Sequence, residues 1–242
     1  MNYKITIEYE GNRYNGWQRQ TSTQNTIQGV LEDAIKAVTG EITEVNGSGR
    51  TDAGVNAKGQ VANFRLNNKY NNLLNDINAS IPGDIRILDC TTVDDRFHAR
   101  LNAKGKIYEY KIDISQKPSV FTRRCIYHFP CDIDISKMEL ASKHLIGEMD
   151  FMAFCSNKRT KKSTIRTINS IDIKLINNEL TITYEGNGFL YNMVRIITGT
   201  LLDVGIGKID PNEVKEILES KDRTKAGKTM PARGLTLLEV KY

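Results

Sequence analysis

Along this chain the spacing of apolar residues switches repeatedly between a period of two and a period near 3.6, so it must fold into sheet packed against helices. Tyr3, Ile5, Ile7 and Tyr9 alternate with polar neighbours and predict a strand ended by Gly11-Asn12. Ile27, Val30, Leu31, Ala34, Ile35 and Val38 then take helical spacing, with Thr26 or Asn25 to cap the helix and Gly40 to stop it. Residues 42–45 and 60–66 read as strands on either side of a glycine-rich loop, 71–79 as a helix, and 85–92 and 106–114 as strands. After the break at Lys117-Pro118 come a helix over 135–145 with Gly147 as its stop, strands over 167–176 and 180–185, and a third strand starting at 189–191. A helix over 193–204, a short one over 211–220 and a strand over 235–242 complete the series. The order predicts an α+β fold of two similar halves, residues 1–116 and 117–242, with a central, mostly antiparallel sheet flanked by helices.

A chain of 242 residues can bury a core without staples. Cys90, Cys125, Cys131 and Cys155 have no metal-ligand spacing, and His98, His128 and His144 form no spaced pair, so neither zinc nor a disulfide framework is expected. No stretch approaches the roughly 18 apolar residues of a membrane span, and Met1-Asn2-Tyr3-Lys4-Ile5 is not a signal peptide; the expected place is the cytoplasm. Lys and Arg outnumber Asp and Glu by 34 to 29, a bias that permits a polyanionic partner without requiring one. The run Lys158-Arg159-Thr160-Lys161-Lys162 is either a solvated loop or one that tracks phosphates, and Arg123-Arg124 is a smaller cluster of the same kind.

The strongest local signal is the stretch over residues 46–64, which sets Arg50 and Asp52 among Gly47, Gly49, Gly54 and Gly59. So much glycine excludes a helix interior and suits a loop of particular shape. An aspartate there is a turn former, a cap or a catalytic carboxylate. Two other residues leave a choice open. Trp17, the single tryptophan, beside Arg19 and two glutamines, either stacks on bases or anchors its loop. Arg195 interrupts a helix that is otherwise apolar round most of its circumference, and a buried guanidinium needs an acid or a phosphate.

Taken together the segments resemble the tRNA pseudouridine synthase A family. Gly49-Arg50-Thr51-Asp52-Ala53-Gly54-Val55, followed by Gly59-Gln60-Val61, is similar to its signature. Tyr9-Glu10-Gly11, Gly16-Trp17-Gln18-Arg19-Gln20, Pro82-Gly83-Asp84-Ile85, Phe97-His98-Ala99-Arg100 and Lys106-Ile107-Tyr108-Glu109-Tyr110 resemble its other blocks in order. So do Gly147-Glu148-Met149-Asp150-Phe151, Gly188-Phe189-Leu190-Tyr191-Asn192-Met193-Val194-Arg195 and Pro231-Ala232-Arg233-Gly234-Leu235, over nearly the full length.

The resemblance implies the pseudouridine synthase fold with an active-site cleft between its halves. It implies isomerisation of uridine to pseudouridine in the anticodon stem-loop of tRNA, at the positions conventionally numbered 38 to 40. It implies Asp52 as the catalytic carboxylate, Tyr108 stacked on the target base, Arg195 paired with Asp52, and Arg50 holding the flipped-out nucleotide. It further implies a homodimer that uses no metal or cofactor. Arg19, Lys158, Arg159, Lys161 and Lys162 are the expected further RNA contacts. The family commonly has histidine where this chain has Asn56, a change that loses a titratable group and keeps hydrogen bonding. The competing reading is a tRNA-binding protein without activity on the same scaffold. A phosphohydrolase is disfavoured, because no second carboxylate lies near Asp52 in sequence and there is no Gly-Lys-Ser/Thr phosphate loop.

Overall fold

The computed structural model describes residues 1–157 and 163–242, so the basic run at 158–162 lies outside the described residues. Packing divides the chain into two units, residues 1–104 with 236–242, and residues 105–235.

The first unit opens with β1 (Asn2–Tyr9), whose Tyr3, Ile5, Ile7 and Tyr9 are all buried, as their alternation predicts. Helix α1 (Ile27–Thr39) begins where Thr26 accepts a hydrogen bond from the Gly29 N–H and ends at Gly40, which adopts a left-handed conformation. Its buried face is rotated from the predicted one: Val30 and Val38 are half-buried, whereas Gln28 and Glu32 are buried beside Ile27, Leu31 and Ile35. Next come β2 (Asn46–Gly47), β3 (Asn56–Arg65), α2 (Leu73–Ser80) and β4 (Ile85–Val93). Strand β1 lies between β3 and β4 and is antiparallel to both; Tyr3 faces Phe64 across the pair, and their rings stack at 5.6 Å.

The expected strand over 42–45 is absent. Pairing on that side is limited to Asn46 and Gly47, opposite Asn63 and Ala62. The Val45 N–H, which a strand would commit to its ladder, instead donates to Glu32 Oε1, and Ile42 is exposed. Strand β3 also starts at Asn56 rather than near Gln60.

The second unit contains β5 (Gly105–Asp113), β6 (Tyr127–His128), α3 (Ile135–Lys143), β7 (Gly147–Asp150), β8 (Ile165–Ile176), β9 (Glu179–Gly186), α4 (Met193–Gly205) and α5 (Glu213–Ser220). Strands β5, β9, β8 and β7 follow one another antiparallel. The β8–β9 hairpin turns through Asn177 and Asn178, both at positive φ, as a two-residue turn matched to the twist of the strands requires. Gly147 opens β7, a strand the apolar pattern did not predict; α3 has already ended at His144. Residues 189–191 are not a strand. They turn into α4, with the Met193 N–H donating to the Leu190 carbonyl and the Ser156 N–H to that of Tyr191. Helix α4 is buried along nearly its whole length. Arg195 is not its only charge, since Asp203 is buried near its end, 3.2 Å from Lys208 Nζ.

The final strand, β10 (Leu235–Lys241), returns to the first unit and runs parallel to β3, with Thr236 opposite Asn56 and Leu237 opposite Ala57. The fold is mixed α+β in both units, as the period changes predict. No described helix is long and apolar enough to cross a membrane.

Candidate active site

Asp52 sits in a loop without regular structure between β2 and β3, and neighbouring segments shape that loop. The Val55 N–H donates to the Asp52 carbonyl, closing a tight turn that leaves the aspartate half-buried. Thr51 is pinned on two sides: its hydroxyl meets the Tyr9 hydroxyl at 2.8 Å and its carbonyl accepts from the Trp17 N–H at 3.0 Å. Burial pushes the Tyr9 phenol up to about 12, against the opposing effect of its bonds to Thr51 and Gln60, so it remains a neutral hydroxyl at physiological pH. Ser48 Oγ donates to Gln60 Oε1, and Gln60 Nε2 donates back to the Gly49 carbonyl, fixing the approach to Arg50.

The Gly16-Trp17 segment lies between this loop and the start of α1. The Ile27 and Gln28 N–H groups, which a helix start leaves without intrahelical partners, donate to the Gly16 and Trp17 carbonyls. Gly16 has φ +89, and a Cβ there would come within 2.7 Å of the Thr51 carbonyl oxygen, so only glycine lets the two backbones approach. Trp17 is 2% exposed, and its ring lies so close to Gly47 that a Cβ there would meet it at 2.5 Å. Of the two readings of Trp17, the anchor is the one the structure shows; its face is not available to a base. Asn56 is buried, with Oδ1 accepting from the Gly11 N–H at 2.8 Å, so it braces the segment that follows β1.

Arg50 is exposed and donates through Nε to Gln18 Oε1 at 3.0 Å. Arg19 is also exposed, and its Nη1 reaches Glu32 Oε2 at 2.7 Å. These two cations are therefore linked through Gln18, Gln28 and Glu32, which border an open groove of about 660 Å³. Sequence reasoning missed Gln28 and Glu32. A glutamine and a glutamate four apart on a helix read as its solvated face, and the one available signal was their nearness to the Trp17-Gln18-Arg19 segment.

In the second unit Tyr108 lies on β5, 8% exposed, with its ring meeting Phe189 edge-on at 5.3 Å. Arg195 lies in the first turn of α4, half-buried, and donates to the Asn192 Oδ1 at 2.7 Å and to the Met230 carbonyl; the Met230 N–H returns a bond to the Arg195 carbonyl. Tyr110 holds the next residue of that segment, donating to the Pro231 carbonyl at 2.7 Å, and burial raises its phenol well above the ordinary range. Arg19, Arg50 and Asp52 thus belong to the first unit, and Tyr108 and Arg195 to the second. Among the described residues no group of three or more His, Cys, Asp or Glu side chains could hold a metal ion, and all four cysteines are free.

A family model described as tRNA pseudouridine synthase matches residues 5–99 and 141–242. The chain is 45% identical to tRNA pseudouridine synthase A of Caldicellulosiruptor saccharolyticus and 46% identical to that of Clostridium kluyveri, in each case over 100% of this chain and 99% of the relative. It is 44% identical, with the same coverage, to a Clostridium perfringens protein named tRNA pseudouridine synthase A 2. A solved structure, a Cbf5-Nop10-Gar1 complex, overlaps at TM-score 0.42 and 10% identity, covering 97% of this chain and 48% of that one.

Proposed function

This chain belongs to the tRNA pseudouridine synthase family, an enzyme family that isomerises uridine in tRNA, and we propose that it does so with Asp52 as the catalytic carboxylate in the anticodon stem-loop, at positions 38 to 40. The single observation that carries this reading is the bracing of the Asp52 loop. Thr51 and Gly16 fix its backbone from one side and Gln60 from the other, as a carboxylate that must meet one bond of a substrate requires.

The reaction breaks the C1′–N1 bond, turns the uracil and joins C1′ to C5; a proton leaves C5 and one arrives at N1, so nothing is gained or lost. A carboxylate serves as nucleophile or base in such a sequence and must be ionised when the substrate arrives. In this reading Arg195 favours that ionised form and Arg50 grips the extruded nucleotide. Tyr108 replaces the stacking that the target base gives up, on the order of 1 to 3 kcal/mol. Arg19, Lys158, Arg159, Lys161 and Lys162 are assigned to the RNA backbone by their charge. The protein acts as a cytoplasmic homodimer without metal or cofactor.

Asp52→Ala tests the reading. The variant should bind tRNA within about threefold of wild type and lose pseudouridine formation by a factor on the order of a thousand or more. Pseudouridine mapping of total tRNA from cells with and without the protein identifies the positions. Wild-type protein that binds tRNA and leaves every uridine unchanged would establish the non-catalytic binder instead.

A further inference from the structure

The side chains between Arg50 and Glu32 form a hydrogen-bond chain with one possible direction. Arg50 Nε donates to Gln18 Oε1 at 3.0 Å, Gln18 Nε2 donates to Gln28 Oε1 at 2.8 Å, and Gln28 Nε2 donates to Glu32 Oε1 at 2.9 Å. An amide side chain by itself can turn either way, but here both ends of the chain are fixed. A guanidinium can only donate and a carboxylate can only accept, so the –NH₂ of each glutamine must point towards Glu32 and each carbonyl towards Arg50. The Arg19 backbone N–H, donating to Gln28 Oε1 at 2.9 Å, enforces the same sense. Gln28 is 4% exposed and Glu32 8%, so reversing the Gln28 amide would turn an N–H towards a donor where water gives little compensation.

We propose that Glu32 is a positioning residue for Arg50. Acting through Gln28 and Gln18, it presents an acceptor to Nε and so holds the guanidinium by one edge, while the two Nη groups, which have no partner among the described residues, remain for the RNA. A guanidinium held in this way can grip a phosphate or a base edge through two parallel bonds with less loss of side-chain freedom on binding. The proposal rests on the reading above that Arg50 binds the substrate nucleotide.

The test is a reciprocal rescue, read as kcat/KM for pseudouridine formation on a tRNA transcript, with melting temperatures followed in parallel. Glu32→Gln replaces the fixed acceptor at the buried end of the chain with a group that can also donate, and should lower kcat/KM about tenfold. Gln18→Glu gives Arg50 a permanent acceptor but sets a carboxylate against the Gln28 carbonyl while Glu32 remains, and should also be impaired. In the double variant Gln28 can turn its –NH₂ to the new carboxylate at position 18 and gives up only the bond from the N–H of the exposed Arg19, so kcat/KM should recover to within about threefold of wild type. A role of Glu32 in packing alone, through Val45 and Arg19, would not be rescued at position 18. Losses that simply multiply in the double variant, or a neutral Glu32→Gln, would overturn the proposal. An Arg50→Ala variant with unchanged kcat/KM would overturn the assignment of Arg50 and this inference with it, and wild-type protein that forms no pseudouridine would overturn the functional reading itself.

Discussion

In the first unit Asp52 sits on backbone that belongs to no helix or strand, whereas in the second unit Arg195 sits in the first turn of a buried helix. The loop keeps its shape because of particular residues: the closely approaching Gly16, the Tyr9–Thr51 hydroxyl pair, the Ser48–Gln60–Gly49 link and the Asn56–Gly11 bond. The helix keeps its place through burial of a whole apolar cylinder, and Asn192 and the Met230 carbonyl then orient the arginine on it. An irregular backbone has to be specified residue by residue, while a regular one is specified by its pattern. Substitutions in the loop should therefore cost both stability and activity, and those around Arg195 should separate the two.

The largest effect is expected from Gly16→Ala. Its φ of +89 is unfavourable for alanine, and the added Cβ would press on the Thr51 carbonyl, so a loss of about 3 kcal/mol in denaturant unfolding is expected, with a fall in activity beyond what the unfolded fraction explains. A loss below about 1 kcal/mol would show that the loop is more compliant than this contrast requires. Asn192 comes next, at φ +61 just before α4, with side-chain bonds to Arg195 and to Ser156. Asn192→Gly keeps the backbone geometry and should reduce activity with little change in melting temperature; Asn192→Ala should add a stability loss of about 1 to 2 kcal/mol. Equal melting curves for the two would remove the backbone part of the argument.

The smallest effect concerns alkaline pH. The Tyr9 phenol, raised to about 12 by burial, stays protonated in the folded loop while an unfolded tyrosine ionises near pH 10. Its contribution is fully present below pH 10 and is lost as pH rises towards 12, less than about 1 kcal/mol being gone by pH 10.5. Tyr9→Phe should therefore show a shallower fall of stability over that window. Some slope will remain from Tyr14, Tyr110, Tyr184 and Tyr242, whose phenols burial also raises. An unchanged slope would mean that Tyr9 reaches solvent when the loop opens.

The same contrast explains what could be read in advance. The Asp52 loop was legible because its glycines and polar residues form an unusual string, and α4 because its apolar residues follow a helical period that Arg195 interrupts in the first turn. Residues 42–45 misled because Glu32, thirteen residues earlier than Val45, took the N–H that a strand would have used. Residues 189–191 look like a strand by composition, but Asn192 in a left-handed conformation turns the chain into α4. Gln28 and Glu32 escaped notice because local pattern assigns polar residues to the outside of a helix and carries no record of the distant amides that make their burial tolerable.

Strand β10 has a consequence for the order of events during synthesis. It supplies the parallel neighbour of β3, the strand that leads out of the Asp52 loop, yet it is separated from the rest of its unit by all of residues 105–235. A ribosome will have released β1, β3 and β4 long before β10 exists, and until then the Asn56–Ala57 end of β3 has an open edge. The unit that carries Asp52 is thus finished last although most of it is made first, and pairing of so distant a strand is a slow step in folding.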